Sequence, residues 1–259
     1  MAEPDAHYRD PELAALYDEL CRGREDFSFY LPLVLRCGSV LDVGCGTGEL
    51  LRLARAAGHG GRLVGLDPGA GMLGVARAAC GTVEWVAGTL PQASGAGGLG
   101  VFDLVVMTGH AFQALVEDEE LHAFFRAVRT LLGPGGRLVF ETRNPAVRGW
   151  EAWDGDRSLA HTPEGVAVRE ETRLVGVRGE LVEFTQTYAS EVWPAPRTSR
   201  SVLRFLDRDR LDAFLAAAGL TAADRYGDWA RHAYDPAVSR EIITVAQVAP
   251  PPPDDARGW

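Results

Sequence analysis

The segment Val40-Leu-Asp-Val-Gly44-Cys-Gly46-Thr-Gly48-Glu-Leu50 decides the fold of this chain of 259 residues. Its first four residues form a short apolar run with β-branched side chains, which is typical of a buried strand. Three glycines follow at every second position, so the backbone can turn sharply and approach a ligand closely. Residues 49–57 have helical spacing and end at Gly58. The segment therefore predicts a strand, a glycine-rich turn and a helix, as in nucleotide-binding α/β domains.

The alternation of strand and helix continues after this segment. Apolar runs predict strands at the positions 62–67, 83–86, 102–108 and 137–142, and amphipathic patterns predict helices at 70–79 and 117–132. Strands that alternate with helices pair in parallel through right-handed crossovers. Together with two later runs, 220–226 and 241–248, they predict a doubly wound, Rossmann-like α/β sheet of seven strands.

The alternation stops after the fifth strand. Residues 166–177, 180–188 and 200–206 are strand-like, with no helix between them and a turn at Gly179. This pattern predicts an antiparallel β insertion that forms a lid or a dimer surface. The predicted organisation is an N-terminal helical cap (1–37), a cofactor-binding α/β core (38–145), the insertion (146–206), a closing helix with the last strands (207–248) and a disordered, proline-rich tail (249–259).

The composition excludes several classes of enzyme. All 26 basic residues are arginine, so the chain has no lysine for a Schiff base, a P-loop or a kinase site. A net charge of −10 disfavours non-specific nucleic-acid binding, which depends on phosphate contacts. The four cysteines and six histidines have no metal-ligand spacing, so we expect no metal site. The chain has no apolar run of the roughly 18 residues that a membrane span requires and no signal-peptide pattern, so we expect a cytoplasmic protein without membrane contact.

The glycine-rich turn favours a nucleoside ligand without phosphates. A dinucleotide turn would have a glycine at position 49, where this chain has Glu49, and an acid at that helix N-terminus repels a pyrophosphate. Asp67 ends the second strand, 19 residues beyond Gly48, where a carboxylate can accept hydrogen bonds from a ribose diol. The alternative for Asp67 is a simple turn residue before Pro68.

Four segments resemble the class I S-adenosylmethionine-dependent methyltransferases, and in particular a subgroup that acts on small molecules. They are VLDVGCGTGEL at 40–50, GLDPGAGML at 65–73, FDLVVMTGHAFQ at 102–113 and LLGPGGRLVFETRNP at 131–145. The resemblance implies S-adenosylmethionine as the cofactor. It also implies eight cofactor contacts: Gly44, Gly46 and Gly48 around the methionine half, Asp42 at its ammonium group, Asp67 at the ribose, Met72 and Thr89 at the adenine, and Thr108 at the methionyl part.

The methyl acceptor is less well defined by the sequence. The position after the fourth strand lacks the double-proline motif of nucleic-acid and protein amide methyltransferases, which favours transfer to an oxygen or nitrogen of a small molecule. His110 is the candidate general base, because its ordinary pKa lies near neutrality; its alternative is a packing or capping role. Arg143 and Asn144 either bind a polar or anionic substrate group or cap the loop. Tyr17 is a candidate contact of cofactor or substrate, or a packing residue.

Two other functions stay open at this point. The chain can be an S-adenosylmethionine-binding protein of the same fold that transfers no methyl group, as a scaffold or a pericyclase-like enzyme. A nicotinamide-dependent oxidoreductase is the other alternative, and Glu49 disfavours it. The chain is also a possible homodimer.

Overall fold

A computed structural model describes residues 4–95, 98–162 and 164–251. Most of the predicted disordered tail, residues 252–259, lies outside these ranges. The strands are β1 (Ser39–Val43), β2 (Arg62–Asp67), β3 (Glu84–Ala87), β4 (Phe102–Met107), β5 (Leu132–Arg143), β6 (Arg157–His161), β7 (Ala167–Arg178), β8 (Leu181–Ala189), β9 (Arg197–Arg204), β10 (Leu220–Tyr226) and β11 (Glu241–Val248).

The helices follow the same order. They are α1 (Ala6–Arg9), α2 (Pro11–Ala14), α3 (Tyr17–Leu20), α4 (Asp26–Val34), α5 (Glu49–Ala56), α6 (Ala70–Ala79), α7 (Leu90–Gly95), α8 (Asp118–Leu131) and α9 (Arg208–Ala217), with short 3₁₀ turns at Ala111–Ala114, Pro145–Val147 and Gly149–Ala152. Within the ranges that the structure describes, none of the helices is both long and apolar enough to cross a membrane.

The main sheet has seven strands in the order β10-β11-β5-β4-β1-β2-β3. Strands β3, β2, β1, β4 and β5 run parallel, whereas β11 pairs antiparallel with β5 and β10 antiparallel with β11. The doubly wound α/β fold predicted from the sequence is therefore confirmed. Since the order reverses next to β1, the carboxyl ends of β1 and β4 face a crevice where ligands bind in such sheets.

Apolar side chains cover both faces of this sheet. On one face α8 and α9 pack against it, with Phe124, Phe125 and Phe214 buried against the strands. On the other face α4 and α5 contribute Phe29 and Leu50 to a second buried cluster. Because both faces are covered, the parallel strands are almost continuously apolar, which is why short apolar runs predicted them well.

The insertion forms a separate antiparallel sheet in the order β6-β7-β8-β9. The antiparallel insertion predicted after the fifth strand is therefore confirmed. Arg178 pairs with Leu181 across a two-residue turn that contains Gly179 at φ 58°. The sequence did not predict β6, which is five residues long and has only Ala160 buried.

The N-terminal segment is helical, as predicted, but it consists of four short helices. Pro11 begins α2 and Gly23, at φ 77°, separates α3 from α4. The segment packs so closely on α6 that a Cβ at Gly69 would lie 2.7 Å from the carbonyl oxygen of Tyr8, and one at Gly71 would lie 2.8 Å from that of Arg9.

The N-terminal segment is also bound to the insertion. The backbone N–H of His7 donates to Ser199 Oγ at 3.1 Å, and the buried hydroxyl of Tyr188 hydrogen-bonds His7 Nδ1. Arg197 forms an ion pair with Asp10 at 3.0 Å. These contacts join the two parts of the chain that lie over the carboxyl ends of the main sheet.

Candidate active site

A cavity of about 1260 Å³ lies at the carboxyl ends of the parallel strands. The N-terminal helices and the inner face of the β6–β9 sheet form its other walls. It is lined by residues from all three parts of the fold, among them Tyr8, Tyr17, Arg24, Gly44, Gly46, Asp67, Met72, Thr89, Thr108, His110, Arg143, Trp153, Glu170 and Trp229. A volume of this size holds a nucleoside cofactor together with a small second substrate.

The three glycines of the turn after β1 have different physical roles. Gly44, Gly46 and Gly48 all have left-handed backbones, with φ of 69°, 56° and 75°. A Cβ on Gly48 would lie 2.2 Å from Trp85, and one on Gly44 would lie 2.8 Å from Ala111, so the packing of the protein itself requires glycine there. A Cβ on Gly46 would meet no protein atom within 4 Å. The space beside Gly46 is therefore free of protein atoms and open to a ligand.

Asp67 organises the turn as well as lining the cavity. Its carboxylate accepts hydrogen bonds from the backbone N–H groups of Gly46 at 2.9 Å and Gly69 at 2.6 Å. Burial raises the pKa of Asp67, and the two N–H donors act in the opposite direction. Asp67 therefore does act as a turn residue. A carboxylate has about four lone-pair sites, so Asp67 can still accept hydrogen bonds from two more donors.

Two buried polar atoms beside the cavity have no hydrogen-bond partner among the described residues. They are Asp42 Oδ1 and Thr89 Oγ1. Burial raises the pKa of Asp42 well above its ordinary value, an effect that the nearby Arg24 reduces. An unpaired buried polar atom is costly unless a ligand or water completes its bonds. Both atoms fit S-adenosylmethionine, because Asp42 would accept from its ammonium group and Thr89 from its adenine amino group.

The remaining predicted cofactor contacts lie around the same volume. Met72 is completely buried and presents an apolar wall near Thr89. Thr108 and Tyr17 line both the main cavity and a small recess that leads to Asp42. The structure therefore brings together the eight predicted cofactor residues at one end of the sheet, in contact with the cavity, with this recess or with the turn.

Arg24 was not singled out in the sequence, although it borders the same recess. Its guanidinium forms two hydrogen bonds with Asp26, at 2.8 and 2.6 Å, and lies over Gly109. Its position beside Asp42 suits the carboxylate of an amino acid whose ammonium group binds Asp42. No motif surrounds Arg24 in the sequence, and only the packing of the N-terminal segment on the turn places it there.

His110 is held in an unusual conformation by two acids. Its backbone is left-handed, with φ 61°, and its N–H donates to Glu141 at 2.7 Å. Its Nε2 lies 2.9 Å from Glu241 Oε2, whereas Nδ1 has no hydrogen-bond partner among the described residues. Because Glu241 accepts from Nε2–H, the neutral ring presents the lone pair of Nδ1, as a general base requires.

Burial and the neighbouring charges act on the pKa of this ring in opposite directions. Burial and the nearby Arg143 lower the pKa of His110, and the hydrogen bond to Glu241 opposes them. Glu141, which holds the backbone of His110, is completely buried and also accepts from the hydroxyl of Tyr30. Burial raises the pKa of Glu141 to about 8. Neither glutamate was predicted as a site residue.

Asn144 does not line the cavity. It is 2% exposed, its Oδ1 accepts from Ala146 N, and its Nδ2 donates to the carbonyl oxygens of Pro236 and Ser239 at 3.0 and 2.8 Å. Both polar atoms of its side chain are therefore bonded within the protein. This geometry favours the loop-capping alternative over contact with a substrate.

Arg143 and Tyr17 do face the cavity. Arg143 donates to Gln113 Oε1 at 2.9 Å and lies over the ring of Trp153, with 5.1 Å between Cζ and the ring centroid. The ring centroid of Tyr17 lies 5.4 Å from that of His7. The sequence-predicted candidates His110, Arg143 and Tyr17 thus border one volume.

Comparison with known proteins agrees with this geometry. Residues 40–136 match a family model described as a methyltransferase domain. These residues are therefore similar to a methyltransferase domain, and the sheet order and the glycine turn agree with the class I S-adenosylmethionine-dependent type. S-adenosylmethionine is the cofactor of that class.

A curated relative shares this domain. The chain is 31% identical over 109 residues to the protein named "Putative methyltransferase GWCH70_2453" from Geobacillus sp. (strain WCH70), a match that covers 40% of this chain and 42% of that protein. The matched region therefore spans less than half of the relative's length.

Solved structures extend the similarity to nearly the whole chain. An S-adenosylmethionine-dependent methyltransferase from Clostridium acetobutylicum ATCC 824 is 16% identical, with a TM-score of 0.69 over 92% of this chain and 98% of that chain. An S-adenosylmethionine-bound amino pentose methyltransferase from Micromonospora echinaspora, involved in calicheamicin biosynthesis, is 25% identical, with a TM-score of 0.63 over 88% and 95%. The fold of the insertion and the core is thus shared with methyltransferases.

Proposed function

We propose that this protein transfers a methyl group from S-adenosylmethionine to an oxygen or nitrogen of a small molecule. The observation that carries the proposal is the cavity at the carboxyl ends of the parallel strands, beside which Asp42 Oδ1 and Thr89 Oγ1 are buried with no partner in the described part of the chain. The open space at Gly46 lies at the same place. A nucleoside amino acid has the groups that complete these bonds.

The residues that would hold the cofactor follow from their positions. Asp42 and Arg24 would bind the ammonium and carboxylate groups of the methionine half, with Gly44, Gly46 and Thr108 beside it. Gly48 keeps the turn in shape by its contact with Trp85. Asp67 would accept from the ribose hydroxyls, and Met72 and Thr89 would enclose the adenine.

The reaction requires little of the protein except that it positions the two reactants. When bound, S-adenosylmethionine supplies a methyl group on a sulfonium, which leaves as a neutral thioether when an acceptor lone pair takes the methyl. Holding two reactants at near-attack distance can lower the barrier by about 7–11 kcal/mol. In this proposal His110 Nδ1 would take the proton that a hydroxyl or an ammonium acceptor loses.

Acidic residues complement the charge of the cofactor. Asp26, Asp67 and Glu241 lie around or beneath the cavity, and each is buried or largely buried. S-adenosylmethionine carries a net positive charge, and the demethylated product is neutral overall. The negative surroundings therefore favour the cofactor over the product, which assists product release.

Calorimetry with S-adenosylmethionine and with its demethylated product tests the first half of the proposal. We expect binding of both with the cofactor bound more tightly, and no binding at millimolar ligand contradicts the proposal. The second half is tested by formation of the demethylated product in the presence of small hydroxyl and amine compounds. Binding without any product formation would instead favour the binding-protein alternative.

The prediction of a homodimer concerns the surface of the insertion. Its sheet exposes Leu159, Val175 and Val177, with exposed fractions of 57%, 50% and 42%. Light scattering at several protein concentrations measures the oligomeric state, and a monomer at all concentrations contradicts the dimer.

A further inference from the structure

The cavity contains a cation whose charge is not paired within the protein. Three arginines line the cavity: Arg24, Arg143 and Arg200. Arg24 forms an ion pair with Asp26, and Arg200 forms one with Glu183. Arg143 makes no ion pair within 4 Å with a carboxylate of the described residues. Because Arg24 is assigned to the cofactor carboxylate, Arg143 is the arginine of this wall that is left for the methyl acceptor.

The guanidinium of Arg143 is held in a fixed orientation. Its Nη1 donates to Gln113 Oε1 at 2.9 Å, and the Nε2 of Gln113 donates to the carbonyl oxygen of Arg204 at 3.1 Å. Gln113 is completely buried, so this chain of bonds is shielded from water. The ring of Trp153 covers one face of the guanidinium. Nε and Nη2 have no hydrogen-bond partner among the residues that the structure describes, and they form a planar fork suited to two oxygens of an anion.

The carboxylates near this wall do not balance that charge directly. Glu241 is opposite Arg143 in the pairing of β11 with β5, but its carboxylate bonds His110. Glu170, on the facing sheet, accepts from Ser158, Gln186 and Tyr188. Burial lowers the pKa of Arg143, and the nearby Glu241 and Glu141 act in the opposite direction.

We propose that Arg143 binds an anionic group of the methyl acceptor, a carboxylate or a phosphate, and so places the acceptor's nucleophilic atom beside His110. This inference rests on the proposed function and specifies its substrate class. Since the protein has a net charge of −10, its long-range field does not attract an anion. The recognition must therefore be local, through the two N–H groups that face the cavity.

Matched small ligands test this assignment without knowledge of the natural acceptor. Benzoate, phenyl phosphate and neutral benzamide have the same ring, so they differ in the group that Arg143 would bind. Each is titrated calorimetrically into protein saturated with S-adenosylhomocysteine. We expect one anion to bind at least about 10-fold more tightly than benzamide, because charge-assisted hydrogen bonds exceed neutral ones. The stronger of the two anions identifies a carboxylate or a phosphate acceptor.

Two variants separate this site from other arginines. Arg143→Gln should reduce the affinity for the preferred anion by about 10- to 150-fold and leave benzamide unchanged. Arg137→Gln is the matched control, because Arg137 lies on the same strand β5 at its exposed end. Equal binding of benzamide and the anions overturns the proposal, as does an anion preference that Arg143→Gln retains.

A measurement on the unmodified protein covers the case in which Arg143→Gln does not fold. Phenylglyoxal reacts with accessible guanidinium groups, and peptide mass mapping identifies the modified arginines. The preferred anion should protect Arg143 and not Arg137, and absence of protection overturns the proposal. If S-adenosylhomocysteine itself fails to bind, the proposed function fails, and the same titrations and protection experiment without it still test Arg143.

Discussion

Gly46→Ala separates a ligand role of the glycine turn from a structural one. Alanine at this position must adopt φ 56°, which costs an L-residue about 1–2 kcal/mol. The added Cβ would meet no protein atom within 4 Å, so no clash adds to that cost. For a domain of this size the loss corresponds to a decrease of about 2–8 °C in the melting temperature.

Gly46→Ala should also weaken cofactor binding, which Gly58→Ala should not. The new methyl group would project into the volume assigned to S-adenosylmethionine. Overfilling a packed site costs about 1–3 kcal/mol, so the affinity should fall by about 5- to 150-fold. Calorimetry measures this affinity, and a thermal melt measures the stability of the same preparation.

Gly58→Ala provides the control. Gly58 also has a left-handed backbone, with φ 89°, and a Cβ there meets no atom within 4 Å, but it lies after α5 and outside the cavity. It should lose similar stability and keep normal affinity. If Gly46→Ala binds S-adenosylmethionine within about twofold of Gly58→Ala, Gly46 does not border the ligand and the assignment of the turn is refuted.

Three further results are expected. Asp67→Ala should weaken cofactor binding by about 1.5–3 kcal/mol. It should also lower the stability of the fold, because Gly46 N–H and Gly69 N–H lose their acceptor. Unchanged affinity in calorimetry would show that Asp67 does not bind the cofactor. Glu241→Gln removes the carboxylate that raises the pKa of His110, so an NMR titration of the His110 ring should move to lower pH, and an unmoved titration contradicts the pairing. His7 is neutral in the fold because burial lowers its pKa from 6.5 to about 4. As the pH is lowered, the unfolded chain therefore takes up a proton at His7 before the folded chain does. The free energy of unfolding should consequently fall by about 3 kcal/mol between pH 6.5 and pH 4. Chemical denaturation at several pH values should show this slope in the parent protein and not in His7→Asn.

Much of the core could be predicted from the sequence because its signals are local. The apolar runs and the glycine turn identify β1 to β4 within one residue at each end, and the pattern at 70–79 gives α6 as observed. The β5 strand begins earlier than predicted, at Leu132, since its pairing with β4 shifts register around residues 133–136. The prediction of an N-terminal helical cap at 1–37 did not include the breaks at Pro11 and Gly23.

The site could be predicted only where a motif marks it. The residues of the turn, together with Asp67 and Met72, come from segments with a recognisable pattern, and the structure places them around one cavity. Arg24 and Glu241 lie in segments without such a pattern. Glu241 reaches His110 because β11 pairs with β5, and the sequence pattern does not specify this pairing. For Asn144 the sequence could not distinguish a loop cap from a substrate contact, because an asparagine at this position fits either role. The hydrogen bonds of its side chain in the structure favour the loop cap.

The β6–β9 sheet is built from one uninterrupted stretch of chain that leaves the core after β5 and returns before α9. Natural variation in that stretch can change the wall of the cavity that would contact the methyl acceptor, while the glycine turn stays the same. The stretch does not vary alone, however, because His7 and Asp10 bond Tyr188 and Arg197. A chimera designed to exchange acceptor preference between relatives should therefore carry the N-terminal helices together with the insertion. We expect these two segments, which are distant in the sequence, to change together in evolution.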